Sequence, residues 1–202
     1  MSDNNTETQS ISEKEVHKVV EEFKGIVVID EAYYDFSRKS FINESNNHNN
    51  LIILRSLSKI GLAGLRVGFG VADPLIINEI NKVRLPYNSN TVSQILAEHL
   101  INNFKLVQNQ IDSILSERQR LIKELKKINS ITIFPSDSNF FLFKTDQPAD
   151  DLFYHLMYNG VLVRNLSSHP KLNNCLRVTI GTKSENDQFL SAVQDFTIKQ
   201  NY

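Results

Sequence analysis

The chain has 202 residues, 41% of them hydrophobic, and a formal net charge of -1 from 22 Lys and Arg against 23 Asp and Glu. That near-neutral, mixed-sign balance excludes the basic field expected of a nucleic-acid or anionic-membrane binder. One cysteine, Cys175, excludes an intrachain disulfide framework and a cysteine-rich metal site. The first twenty residues are polar and lack the apolar core of a signal peptide, and no apolar run is long enough to span a bilayer. The expectation is a cytoplasmic globular protein able to bury one good core or two small ones.

Met1 to Ser12 form no core-building run and read as a loop or disordered end. Ser12 and Glu15 predict a capping box for a helix whose apolar face is Val16, Val19, Val20 and Phe23, stopped by Gly25. Ile26-Val-Val-Ile29 is a continuous β-branched run of the kind buried on both faces of a parallel sheet. Segment 38–50 is rich in Asn and Ser and reads as a loop, Leu51 to Leu54 as a second strand, and Val67 to Ala72 as a third. Asp73-Pro74 starts a helix to about Arg84. Two more helices fill Thr91 to about Ile128, the second long and amphipathic through Val107, Ile111, Ile114, Leu115, Leu121, Ile122 and Leu125. The grammar then changes. Strands are expected at Ile131 to Phe134, Phe140 to Phe143, Val161 to Val163 and Leu176 to Ile180, with helices at Pro148 to Asn159 and Asn186 to Lys199. The order is α/β up to about residue 107 and α+β from 108 to 202, with the long helix as the bridge.

Several residues have a chemical reading beside a plain one. Asp30 ends an apolar run, where open α/β sheets bind ligands, and is otherwise a turn or cap carboxylate. Ser56, Ser58, Lys59 and Arg66 share a glycine-rich turn that suits a phosphate, and otherwise is a solvated surface loop. Ser56-x-x-Lys59 also matches the Ser-x-x-Lys of penicillin-binding acyl transferases, but Ser136-Asp-Ser138 and Gly181-Thr-Lys183 do not supply that family's companion motifs. Arg177 and Arg164 each sit in an apolar run and need either an anionic ligand or an internal carboxylate. His17, His48, His99, His155 and His169 show no metal spacing, so no metal is expected.

Taken together, three stretches resemble one family. Gly25-Ile-Val-Val-Ile-Asp30-Glu-Ala-Tyr33-Tyr-Asp-Phe36 resembles the strand and turn of fold-type I aminotransferases, and Leu54-Arg-Ser-Leu-Ser58-Lys59-Ile-Gly-Leu-Ala-Gly-Leu-Arg66-Val-Gly-Phe69 resembles their lysine loop. Gly160-Val-Leu-Val-Arg164, Ser167-Ser-His-Pro170 and Asn174-Cys-Leu-Arg177-Val-Thr-Ile-Gly181 resemble the histidinol-phosphate aminotransferase family in particular. The resemblance runs from about Ile11 to the end.

It implies a partial fold-type I large domain, mostly parallel sheet with helices, over 1–107, and a long bridging helix with a small α+β domain over 108–202. It implies a pyridoxal 5'-phosphate enzyme of histidine biosynthesis. Histidinol phosphate and 2-oxoglutarate would exchange an amino group to give imidazole acetol phosphate and glutamate, in a homodimer. Lys59 would form the Schiff base and move the substrate proton. Asp30 would pair with the pyridine nitrogen, Tyr33 with the ring's phenolic oxygen, and Ser56, Ser58 and Arg66 with the phosphate. Arg177, with Arg164, would bind the substrate anion, and Asn139 would lie near substrate. Ser2 to Ile11 aligns with a family stretch in which Asn5 matches a cofactor-contacting Asn, although Thr6, Glu7 and Thr8 replace the family's Pro, Thr and Gly. Family members are longer at the N-terminus, where further phosphate donors and a ring-stacking aromatic reside. The chain is therefore expected to be a fragment or a degenerate, non-catalytic copy, and another amino-acid aminotransferase of the same family is the alternative substrate assignment.

Overall fold

A computed structural model of the chain describes residues 12–199, so Asn5 lies outside the described residues. They divide into two compact units, one within Ser10–Ile111 and one within Asp112–Tyr202.

In the first unit, helix α1 (Glu13–Glu22) starts at the capping box expected of it. The Ser12 hydroxyl accepts from the Glu15 amide at 3.4 Å, and Glu15 Oε2 accepts from the Ser12 amide at 3.3 Å. Its buried face is narrower than expected: Val16 and Val20 are inside, whereas Val19 and Phe23 are exposed. The helix ends before Gly25, because Phe23 turns extended while its amide still bonds the Val19 carbonyl.

Strands β1 (Val27–Asp30), β2 (Leu51–Ser56) and β3 (Gly68–Ala72) form a sheet in the order β1-β2-β3. β1 runs parallel to β2 with Asp30 opposite Leu54, and β3 runs antiparallel to β2 with Gly68 opposite Ser56. Leu51 and Ile53 on one face pack with Val16 and Val20, flanked by Val27, Ile29 and Val71. Among the described residues the opposite face is bare, with Val28 at 52% and Leu54 at 40% exposure. This corrects the expectation that the β-branched run is buried on both faces. An apolar run shows that a strand suits burial, not that this chain supplies the covering layer.

Segment 31–50, expected as a loop from residue 38, contains the short helix α2 (Tyr34–Ser37) just before it and a 3-10 turn (Ile42–Asn46) inside it. Helices α3 (Pro74–Val83), α4 (Thr91–Asn102) and α5 (Lys105–Leu125) follow, with α3 capped by Asp73 and α4 by Asn90. No helix of the described residues is long and apolar enough to cross a membrane.

In the second unit, β4 (Ile131–Ile133), β5 (Phe140–Thr145), β6 (Arg164–Asn165) and β7 (Cys175–Thr179) form an antiparallel sheet in the order β4-β5-β7-β6. Helices α6 (Ala149–Tyr158) and α7 (Lys183–Lys199) contribute Leu152, Leu156 and Val193 to a core with Phe141, Phe143 and Leu176, closed by Leu121 and Leu125 of α5. The strand expected at Val161 to Val163 is instead an irregular connection. The Val161 amide bonds back to the Leu156 carbonyl and Val163 enters the core, so pairing begins only at Arg164. Helix α7 begins three residues earlier than expected. Thr182 and Glu185 cap it reciprocally, with the Thr182 amide donating to Glu185 Oε2 at 2.7 Å and the Glu185 amide to the Thr182 hydroxyl at 3.4 Å.

Candidate active site

The carboxyl ends of β1 and β2 meet the amino end of β3 at an open groove of about 490 Å³, whose lining includes Asp30, Leu54, Arg55, Ser56, Lys59 and Gly68. Strand alternation explains the composition. Asp30 lies on the same face as exposed Val28, and Ser56 on the same face as Leu54, so the groove is laid on the uncovered side of the sheet. Across from Ser56, Gly68 leaves the floor without a side chain. A Cβ there would meet the Arg55 carbonyl oxygen at 2.8 Å, closer than packing permits.

Lys59 stands on a one-turn 3-10 helix (Leu57–Ile60) that leaves β2 directly. Leu57 and Ile60 are buried and anchor the turn, and Gly61 closes it at φ 89°, a left-handed conformation that a side chain would strain. The Lys59 ammonium lies 5.3 Å from the centre of the Tyr33 ring. The Ser56 and Ser58 hydroxyls are 2.6 Å apart, and the Ser58 amide donates to Ser56 Oγ at 3.1 Å. Asp30 accepts from the Ala32 amide at 2.9 Å, which fixes its carboxylate at the strand end. The fold therefore brings Asp30, Ser56 and Lys59 to one groove, with Tyr33 beside the Lys59 ammonium and Ser58 beside Ser56. Arg66 ends the following turn at φ 55°, and its guanidinium donates to the Ala63 carbonyl of its own loop at 3.4 Å.

One wall of the groove was not singled out in the sequence. Arg55 stacks on Tyr34, its guanidinium carbon 3.6 Å from the ring centre, and pairs with Glu31 at 3.1 Å. Glu31 is 7% exposed and also accepts from the Ser40 hydroxyl at 2.8 Å and the Phe41 amide at 2.6 Å. Nearby, burial pushes the Asp35 carboxyl above its ordinary value, against the opposing pull of Arg55 and Arg38. The sequence signal was a charged residue on each strand end, Glu31 after β1 and Arg55 within β2.

In the second unit, Arg164 and Arg177 are direct register partners across the β6–β7 pair. The Arg177 guanidinium lies 4.7 Å from the centre of the Phe140 ring. Like charges placed directly opposite on an antiparallel pair repel. Asn139 contributes its backbone: its carbonyl accepts from the Ile180 amide at 2.9 Å, extending the β5–β7 ladder.

A family model for aminotransferases of class I and II matches residues 3–193. The chain belongs to the class I and II aminotransferases. Among similar members, histidinol-phosphate aminotransferase of Vesicomyosocius okutanii is 41% identical over 96% of this chain and 55% of its own length. The enzyme of that name from Aquifex aeolicus is 42% identical over 83% of this chain and 48% of its own. The chain thus spans about half the length of the curated aminotransferases it matches. In three dimensions it superposes on the histidinol-phosphate aminotransferase of Clostridium acetobutylicum with a TM-score of 0.87 and 26% identity, covering 97% of this chain and 62% of that one. The aminotransferase fold accounts for the α/β first unit and the smaller α+β unit after it.

Proposed function

We propose that the groove holds pyridoxal 5'-phosphate and that the chain carries the cofactor-holding and anion-binding parts of a histidinol-phosphate aminotransferase. The observation that carries this reading is the convergence of one amine, one carboxylate and one hydroxyl on a single groove at the strand ends, with the Ser58 hydroxyl 2.6 Å from that of Ser56. That donor set matches the aldehyde, pyridine nitrogen and phosphate of the cofactor. Lys59 is assigned to the aldehyde, Asp30 to the pyridine nitrogen, Tyr33 to the phenolic oxygen, and Ser56, Ser58 and Arg66 to the phosphate, with Asn5 as a further cofactor contact. When bound, the cofactor would act as the sink for the electrons left at the substrate carbon.

The chain's own residues then have distinct tasks. Lys59 Nζ takes the proton from the substrate Cα and returns one during the amino transfer. Tyr33, against the Lys59 ammonium, holds that amine in place. Asp30, fixed by the Ala32 amide, keeps a negative charge where a protonated ring nitrogen is needed. Arg177 and Arg164 bind the phosphate of histidinol phosphate in one half-reaction and a carboxylate of glutamate or 2-oxoglutarate in the other, because both are anions that a guanidinium grips through paired donors. Asn139 would lie near the substrate. The substrate assignment is supported by the names of the relatives at 41% and 42% identity. A homodimer belongs to the same reading: α3 buries none of its residues and leaves Leu75 and Val83 bare. A cytoplasmic location completes it.

The test is borohydride reduction of the chain after it has been supplied with the N-terminal half of a full-length relative and loaded with cofactor. Peptide mapping is expected to place the adduct on Lys59. An adduct mainly on another lysine refutes the assignment.

A further inference from the structure

The covered side of the first sheet carries a second cluster of ligating side chains, separate from the groove. His17 of α1, Glu44 of the 3-10 turn and His48 just after it bring one ligand atom each to within 4.8 Å of one another. Glu44 Oε2 is 3.9 Å from His48 Nε2, and all three residues are half-buried. We infer that His17, Glu44 and His48 form a binding site for one first-row divalent metal ion of the zinc type.

Three observations support this. The donor set is two imidazoles and one carboxylate, which suits Zn²⁺ and its borderline neighbours rather than Mg²⁺ or Ca²⁺, whose ligands are oxygens. The spacing is close to that of a tetrahedral zinc site, where ligand atoms about 2.0–2.2 Å from the metal stand about 3.4 Å apart. Glu44 and His48 are already side by side on one turn, the His48 amide donating to the Glu44 carbonyl at 3.2 Å. The cluster is also held in place. The His17 ring packs edge-on against Phe41 with centroids 5.8 Å apart, and the Asn47 side-chain Nδ2 donates to Glu44 Oε2 at 3.4 Å. Water would fill the fourth position. The chain spacing conceals the site, since His17 comes from a different element than Glu44 and His48.

A bound ion would tie α1 to the segment that leads into β2. The Phe41 beside His17 also donates its amide to Glu31, so the ion would brace the support of Arg55. No step of the proposed transamination uses these three residues.

The experiment uses the purified, tag-free chain without added cofactor. Co²⁺ titration is expected to give a saturable visible absorbance at one equivalent, displaced by Zn²⁺. His17→Ala and His48→Ala, each with unchanged far-UV circular dichroism, should weaken binding by at least about tenfold. On the unsubstituted chain, Zn²⁺ should move the ring resonances of His17 and His48 and leave those of His99, His155 and His169 in place, which settles the matter even if a variant misfolds. Absence of saturable binding overturns the inference. So does binding that survives in both variants, or ring shifts confined to the other histidines.

Discussion

Replacing Glu31 by alanine perturbs the support of the groove without touching its floor. The carboxylate is 4% exposed as a side chain and accepts from the Phe41 amide, the Ser40 hydroxyl and two Arg55 nitrogens at 2.6 to 3.1 Å. Removing one partner of a buried ion pair costs about 3–5 kcal/mol, because the other charge is left without compensation. Arg55 keeps part of its environment, since it also donates to Ser40 Oγ at 2.7 Å and stacks on Tyr34. The loss should therefore fall near the lower end, about 3 kcal/mol, or roughly a hundredfold in the folded-to-unfolded ratio. With a urea slope of about 2 kcal/mol per molar, the midpoint of the first unit should fall by about 1.5 M. Glu31→Gln retains one acceptor oxygen and the side-chain volume, so it should lose about half as much. Urea titration followed by far-UV circular dichroism measures all three proteins. A midpoint for Glu31→Ala within about 0.2 M of the unsubstituted chain would show that Arg55 and the 40–41 backbone are held by other means.

Arg177→Lys, in the chain completed with a relative's N-terminal half, should weaken glutamate or histidinol phosphate binding roughly ten- to a hundredfold, the worth of a charge-assisted hydrogen bond. Cofactor absorbance should be unchanged, and unaltered affinity for both substrates would remove Arg177 from the anion site. In the second unit, Arg120 donates to Glu117 at 2.7 and 2.9 Å and holds its carboxyl below the ordinary range. Glu117 therefore contributes stability that is present above the unfolded glutamate value of about 4.3 and lost as pH falls through the lowered folded value. Glu117→Gln should flatten that part of the acid-unfolding curve, and an unchanged slope would contradict the linkage. The chain expressed by itself should show little or no transamination between histidinol phosphate and 2-oxoglutarate. Its groove lies on a sheet face where Val28 and Leu54 are exposed, so the cofactor lacks cover on that side. Activity comparable to a full-length relative would show that no further covering layer is needed.

What the sequence discloses depends on how far apart the interacting residues are. The Ser12–Glu15 box is readable because capping is a local pattern three residues long. Thr182 and Glu185 form the same pattern, but the apolar residues of α7 begin later, and the periodicity drew the expected start to Asn186 instead. Asp30 and Lys59 are readable as candidates because each follows an apolar strand, and strand ends are where α/β sheets bind ligands. The Val161 to Val163 run is β-branched yet unpaired, since tertiary packing of Val163 outweighs its strand propensity. Glu31 escapes notice because its partners Ser40, Phe41 and Arg55 lie 9 to 24 residues away. The bare face of the first sheet is invisible for another reason: a run of Val and Ile reads the same whether its cover comes from this chain or from elsewhere.

The opposition of Arg164 and Arg177 across β6 and β7 has a practical consequence for the bench. If the two arginines form the proposed anion site, any small dianion in solution competes for it, and occupancy follows mass action. Phosphate or sulfate buffers would then compete with the proposed substrates, so apparent Michaelis constants of the completed enzyme would track buffer composition. The same salts would raise the melting temperature of the second unit, and a change to a zwitterionic buffer would reverse both effects together.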